Sequence, residues 1–213
     1  MTDNYKRNPQ GYFKYILAID SETTGFTKGR DPSVGHQAIS WGIIVADAHT
    51  LIPVEKLYLE IKWNDGSKAA RADHPSFSVT ASDIHGLTYN YLEENGIAEE
   101  DAVLLIAELI LKYWGPTQQL HCLGHNIEFD IAFLDSMFKR YGIDLYFSSR
   151  QYDSNSMGFV AVESFTSNSF FDTMGFPPRD AHNALQDIEQ TLESCRRIRV
   201  LWNDFVGINA NEA

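Results

Sequence analysis

The chain has 213 residues, of which 44% are hydrophobic and 22% are charged, a composition typical of a folded globular protein. The formal net charge of −12 argues against a protein that grips long nucleic acid by neutralising many phosphates. Two cysteines are too few for a disulfide framework or a cysteine zinc site, so we expect a cytoplasmic protein. No apolar run approaches the ~20 residues of a membrane span, and the polar first 14 residues do not resemble a signal peptide.

The first third of the chain predicts a three-stranded meander. Apolar runs indicate strands over 12–20, 38–47 and 54–62, and the unbroken run at the end of the first strand suggests burial on both faces. Residues 24–36 contain several glycines and a proline and indicate a loop. The polar, irregular stretch 63–82 predicts an inserted loop.

The remainder alternates helical and strand patterns. Helices are expected over 98–114, 127–142 and 182–205, with a short strand within 120–126, whereas 143–180 gives no clear pattern. Strands followed by alternating helices and strands favour an α/β fold, with a mixed central β-sheet flanked by α-helices.

We expect a single domain over 1–213, with an extension at 1–14 and a tail at 206–213. Four apolar side chains of the first long helix are expected to lie in its core: Leu104, Leu105, Leu109 and Ile110.

Two acids end the first strand, in the sequence ILAIDSETTG. Asp20 and Glu22 are two residues apart on a strand, so their side chains point to one side. At ~4 Å in a partly buried setting, their repulsion is on the order of 4 kcal/mol. A cation between them would remove this cost, and hard oxygen ligands suit Mg²⁺ or Mn²⁺. The alternative is an acidic strand end that faces solvent.

Two further segments carry acids in helical contexts. Asn126 and Asp130 are four residues apart and share a helical face, although a helix cap and an exposed acid would explain them equally. His182 and Asp187 would point ~140° apart if both lay within a helix. We therefore expect His182 in the approach to the helix, where both can face one site; the alternative is a first-turn histidine beside a solvated acid.

Taken together, these segments resemble the DEDDh 3′–5′ exonucleases, which include polymerase proofreading subunits and ribonuclease T. The matching stretches are DSETTG, HNIEFDIAFL and HNALQD. A smaller matching element is IHGLT, which contains His85. An acid is also common before the last helix in this family, and Asp153 falls there. The resemblance covers about residues 15–195 and implies a ribonuclease-H-like fold.

The resemblance implies a two-metal hydrolysis that releases nucleoside 5′-monophosphates from the 3′ end of single-stranded DNA. Its two divalent cations, Mg²⁺ or Mn²⁺, would be held by Asp20, Glu22, Asp130 and Asp187. One would be bound by Asp20, Glu22 and Asp187 and activate water, and the other mainly by Asp20. His182 would be the general base.

Substrate contacts are also implied by the family. The backbone at Thr23, Thr24 and Gly25 would lie near the terminal nucleotide, with Thr24 at the 3′-hydroxyl. Phe26 or His85 would pack against the terminal base, or else serve loop packing and a turn. Asn126 is a further substrate-binding candidate with a structural alternative. A basic run follows on the last helix and indicates a solvated helix surface or, otherwise, a phosphate path: Arg196, Arg197 and Arg199.

Three functions remain open from the sequence. The first is a DNA exonuclease, and the second is an exoribonuclease that trims short RNA or RNA 3′ ends. The third is a nuclease-like subunit that only binds a partner, although all five motif residues are present. No polymerase domain is evident, so proofreading would need a separate polymerase or other protein partner. We expect no membrane partner.

Overall fold

The computed structural model describes residues 13–63, 79–116, 119–163, 166–177 and 182–206. Most of the predicted extension at 1–14, of the tail at 206–213 and of the 63–82 loop lies outside these described residues. Within the described part of the chain, none of the helices combines the length and apolar character needed to cross a membrane.

Five strands form one mixed sheet. Strands β1 (Tyr15–Thr23), β2 (Ala38–Asp47) and β3 (Pro53–Glu60) form an antiparallel meander, which confirms the prediction. The short strands β4 (Cys122–Gly124) and β5 (Tyr152–Asp153) continue the sheet in parallel beyond β1. The order β3-β2-β1-β4-β5 therefore places β1 at the centre.

Helices cover both faces of the sheet. They are α1 (Val79–His85), α2 (Tyr89–Asn95), α3 (Glu99–Tyr113), α4 (Ile127–Arg140), α5 (Ser154–Val162), α6 (Ser167–Thr173) and α7 (Ala184–Val206). Helices α3, α4 and α7 confirm the three predicted helices. The predicted loop at 63–82 extends too far, because α1 already begins at Val79. The unassigned region between α4 and α7 contains two short helices.

Strand β1 separates two hydrophobic cores. Leu17 and Ile19 pack with side chains of α3 and α4, whereas Ile16 and Ala18 pack with side chains of α7. Because successive side chains alternate between faces, Asp20 and the acid two residues later continue the α7 face. Ser21 continues the α4 face.

The predicted core of α3 is half wrong. Leu109 and Ile110 are buried, but Leu104 and Leu105 are 54% and 42% exposed. A helix turns 100° per residue, so an unbroken apolar run cannot all face one side. The buried face instead follows the helical spacing of Glu99, Ala102, Val103, Ile106, Leu109 and Ile110.

Candidate catalytic and metal site

The first turn of α7 rests directly on the sheet beside the acids of β1. Gly42 on β2 pairs with Asp20, and a Cβ atom added at Gly42 would lie 2.2 Å from the carbonyl oxygen of Ala184. Only glycine leaves room for this approach. It brings Asp187, on the first turn of α7, to the face that carries Asp20 and Glu22.

Three side chains form a compact group of metal-binding type. One ligand atom from each of Glu22, His182 and Asp187 lies within 4.8 Å of the other two. Glu22 and Asp187 are buried, whereas the side chain of His182 is 35% exposed. His182 Nδ1 lies 3.3 Å from an Asp187 carboxylate oxygen. His182 precedes α7 by two residues, which is the position that helical geometry required.

Asp130 reaches the site from the other face of the sheet. A Cβ atom added at Gly124 would lie 2.8 Å from the side chain of Ile127, so α4 begins tightly against the end of β4. Asp130, in the first turn of α4, is 3% exposed, and Ser21 Oγ donates a 2.6 Å hydrogen bond to its Oδ1. Burial raises the pKa of Asp130, as does the charge of Glu22, and the Ser21 hydrogen bonds oppose this rise only in part.

All five predicted motif residues line one cavity of about 160 Å³. Sequence reasoning missed other residues of its wall, although His125 directly precedes Asn126 in the second motif, and this position was the available signal. His125 Nδ1 lies 3.0 Å from Ser154 Oγ, a contact that joins the cavity wall to α5. The full lining comprises Asp20, Ser21, Glu22, His125, Phe129, Asp130, Ser167, Phe171, His182, Asp187 and Thr191.

A second cavity of about 350 Å³ adjoins the first and shares Ser21, Glu22 and Phe129 with it. Four predicted substrate residues line it: Thr23, Gly25, Phe26 and His85. The Phe26 ring is 57% exposed and lies 6.1 Å from the Phe129 ring. Burial lowers the pKa of His85, which favours the neutral imidazole.

Thr24 and Asn126 differ from the other predicted substrate residues, because neither lines either cavity. Thr24 is fully buried, and its Oγ1 accepts a hydrogen bond from the backbone N–H of Gln37. Asn126 is exposed in a left-handed conformation (φ 64°), and its backbone N–H donates to Asp153. Asn126 stands at the N-cap position of α4, but its side chain makes no cap hydrogen bond there. The Thr24 side chain has a structural contact.

The basic run on α7 is bound to the protein itself. Arg196 and Arg197 both pair with Glu193, at 2.6 and 3.0 Å. Arg199 donates to the carbonyl oxygen of Ala48 at 3.1 Å. These contacts correspond to the helix-surface interpretation rather than to a phosphate path.

Comparison by sequence identifies no relative: no model of a known protein family matches the chain, and no curated protein matches it. Comparison by structure is clear. Exonuclease I of E. coli, in a zinc-bound complex with single-stranded DNA, has a TM-score of 0.68 and 18% identity, over 88% of this chain and 40% of that one. The nuclease domain of 3′hExo, a DEDDh family member bound to rAMP, has a TM-score of 0.64 and 14% identity, over 88% and 92%.

A 3′-exonuclease that recognises the 3′ end of the histone mRNA stem-loop is also similar, with a TM-score of 0.63 and 15% identity over 88% of this chain and 64% of that one. The chain spans about two fifths of the length of the exonuclease I chains that it matches. At these identities the likeness is one of fold. The chain therefore has the ribonuclease-H-like fold of these exonucleases, with a mixed five-stranded sheet flanked by helices.

Proposed function

We propose that this chain is a metal-dependent 3′–5′ exonuclease of the DEDDh type, which releases nucleoside 5′-monophosphates from the 3′ end of single-stranded DNA. One observation carries the proposal. Four carboxylates and a histidine, brought from β1, α4 and the start of α7, line a single cavity that adjoins an aromatic one. Such an arrangement suits hydrolysis of a phosphodiester next to a bound terminal nucleotide.

The donor set fits divalent cations. Glu22 and Asp187 offer carboxylate oxygens within 4.8 Å of each other, and Asp20 lies in the same cavity. Hard oxygen ligands favour Mg²⁺ or Mn²⁺. Asp20, Glu22 and Asp187 would hold one ion, and a second would be held mainly by Asp20, with Asp130 as a further acid of the site. When bound, the two ions would neutralise the acids and stabilise the negative charge that develops on the phosphate.

We assign His182 the role of general base. Its ring borders the acidic group, yet about a third of its side chain remains exposed and accessible to water and substrate. In the proposed reaction it takes the proton from the water that attacks the phosphorus atom, while the bond from phosphorus to the 3′ oxygen of the preceding nucleotide breaks and that oxygen takes a proton from water. Asp187, 3.3 Å away, orients the ring and stabilises the imidazolium that forms.

The adjoining cavity is assigned to the terminal nucleotide. Phe26 and Phe129 offer aromatic surface to the base, and stacking of this kind tolerates any base. The backbone at Thr23 and Gly25 would lie beside the sugar.

An exoribonuclease is the second candidate, because two of the structural neighbours are described with histone mRNA and with rAMP. Both cysteines are free buried thiols, which fits the proposed cytoplasmic location.

The decisive experiment is digestion of matched 5′-labelled single-stranded DNA, duplex DNA and RNA, with Mg²⁺, Mn²⁺ or EDTA. We expect progressive shortening of single-stranded DNA from its 3′ end, which EDTA abolishes. Faster digestion of RNA would select the second candidate. Asp187→Asn should abolish cleavage while the protein stays folded. An Asp187→Asn protein that cleaves at the wild-type rate would contradict the proposed site. A wild-type protein that binds the oligonucleotides stably without cleaving them would favour a non-enzymatic subunit.

A further inference from the structure

A chain of hydrogen bonds joins β3 to the residue that follows His182. Asn183 Nδ2 donates to the Tyr58 hydroxyl at 3.2 Å, and the Tyr58 hydroxyl donates to Glu60 Oε1 at 2.7 Å. Asn183 and Tyr58 are 125 residues apart in sequence and both are partly buried. The contact therefore fixes the start of α7 to the sheet at the edge of the candidate site.

The direction of this chain is set by the helix cap. Asn183 Oδ1 accepts a 3.1 Å hydrogen bond from the backbone N–H of Gln186, as an N-cap side chain does. The amide oxygen is thus turned to the helix, and its NH₂ group is turned to Tyr58. Tyr58 must then accept from Asn183 and donate to Glu60. Burial, assisted by the Glu60 hydrogen bond, raises the pKa of Tyr58 to about 12, so the phenol keeps its proton at neutral pH.

A backbone hydrogen bond of His182 itself is long. Its backbone N–H donates to the carbonyl oxygen of Ile84 at 3.3 Å, near the upper end of the usual range. The neighbouring Asn183 makes three contacts: its side chain donates to Tyr58 at 3.2 Å, its Oδ1 accepts from Gln186 at 3.1 Å, and its backbone carbonyl accepts from Asp187 at 2.8 Å. Asn183 therefore helps to hold the peptide before α7 in its orientation.

We propose that Tyr58 is a positioning residue for His182, acting through Asn183. The inference rests on the proposed function, in which His182 is the general base. Without the Tyr58 hydroxyl, the Asn183 side chain keeps its helix cap but loses its link to the sheet, so that the peptide carrying His182 can shift. A displacement of ~1 Å can cost up to about 100-fold in rate. Substrate binding should change little, because the adjoining cavity that we assign to the terminal nucleotide does not include Tyr58.

Tyr58→Phe tests this directly, and Tyr91→Phe is its matched control. The Tyr91 hydroxyl also hydrogen-bonds Glu60, but Tyr91 belongs to α2 and is 42% exposed as a residue. Asn183→Ser is the second test variant, since serine keeps the helix cap but is too short to reach Tyr58. Steady-state digestion of the preferred labelled oligonucleotide gives kcat and KM for each variant, and thermal unfolding gives Tm.

We expect Tyr58→Phe and Asn183→Ser each to lower kcat about tenfold, with KM within twofold of the wild type. The double variant should be no slower than the slower single variant, because both changes break one link. Tyr91→Phe should stay within twofold in both constants. Three results would overturn this inference while leaving the proposed function intact. They are a raised KM in Tyr58→Phe or Asn183→Ser, losses of kcat that add in the double variant, and equal losses of kcat in Tyr58→Phe and Tyr91→Phe. A wild-type protein without nuclease activity would overturn it together with the proposed function.

Discussion

The carbonyl oxygen of Ala184 lies over Gly42 at a distance that leaves no space for a side chain, since an added Cβ atom would come within 2.2 Å of it. Gly42 also faces Asp20 across the β1–β2 pair. Helix α7 therefore approaches the sheet tightly beside the first acid of the candidate site. Asp187, three residues after Ala184, depends on this approach to reach Glu22 and His182.

Gly42→Ala should displace the first turn of α7. Because the clash involves backbone atoms that no side-chain rotation can move, we expect a loss of about 1–3 kcal/mol in the free energy of unfolding. Nuclease activity should fall more steeply than the fraction of folded protein, since Asp187 moves with the helix. Urea unfolding and the labelled-oligonucleotide assay measure the two effects.

Gly142→Asn is the control for Gly42→Ala. An added Cβ atom at Gly142 meets no atom within 4 Å, and asparagine tolerates its positive φ of 75° better than most residues. This variant should stay within about 1 kcal/mol of the wild type and keep its activity. Wild-type stability and activity in Gly42→Ala would contradict the proposed packing.

Asp130→Asn should stabilise the protein in EDTA, and increasingly so as the pH rises. Burial raises the pKa of Asp130 above its ordinary value of 3.8, so the folded state favours the protonated carboxyl. The stability from this preference is complete below about pH 4 and is lost as the pH rises through the folded-state pKa. Asparagine stays neutral, and its Oδ1 can still accept from Ser21.

Urea unfolding of both proteins between pH 5 and pH 9 measures this difference. The matched control is Asp135→Asn on the same helix, where the carboxylate pairs with Lys139 at 2.6 Å and is less buried than Asp130. A stability difference between wild type and Asp130→Asn that stays constant with pH would contradict the role of burial.

Divalent cations should raise the melting temperature. A ligand at 100 times its Kd stabilises the folded state by about 2.7 kcal/mol, which corresponds to roughly 5–10 °C for a protein of this size. Millimolar Mn²⁺ or Mg²⁺ should produce such a shift in the wild type and a much smaller one in Glu22→Gln. Glu189→Gln, an acid of α7 that pairs with Lys56 outside the cavity, should shift like the wild type. No shift in the wild type would count against the metal site.

Glu99 and Arg140 form a buried ion pair that joins α3 to α4, the helix of Asp130. The Glu99 side chain is fully buried and that of Arg140 is 16% exposed, and Arg140 donates through Nε at 3.2 Å and through Nη2. Arg140→Met should cost about 3–5 kcal/mol, because it leaves a buried carboxylate unpaired. Glu99→Leu in the same protein should recover most of this loss. Equal stability of the single and double variants, measured in urea, would contradict the pairing.

The sequence predicted the elements that carry strong patterns. Strand β2 was predicted with its correct ends and β3 with ends within two residues, because apolar stretches mark buried strands, whereas β1 was predicted three residues too early at both ends. Each of Asp20, Glu22, Asp130, His182 and Asp187 could be singled out because it belongs to a short motif, and the structure places all five around one cavity. The side of the sheet from which Asp130 arrives was not predictable, since it depends on how α4 packs.

Other features lacked a local signal. Helices α5 and α6 lie in a stretch without helical periodicity, and α6 begins with a capping box formed by Thr166 and Ser169, in which serine takes the place of the usual glutamate or glutamine. The Tyr58–Asn183 contact joins residues far apart in sequence and neither residue has an obvious role alone. Thr24 is buried and accepts a hydrogen bond from Gln37 at the other end of the 24–36 loop, a contact that no spacing rule predicts.

The position of β1 between two hydrophobic cores has a mechanical consequence. Asp187 belongs to the layer that packs around Ile188 and Leu192, whereas Asp130 belongs to the layer around Phe133 and Leu134. Cations held jointly by these acids would link the two layers at the end of the central strand. With the cations bound, α4 and α7 should open together and show similar protection from hydrogen exchange. After chelation the two layers should open independently, so hydrogen exchange should accelerate by different factors in α4 and in α7.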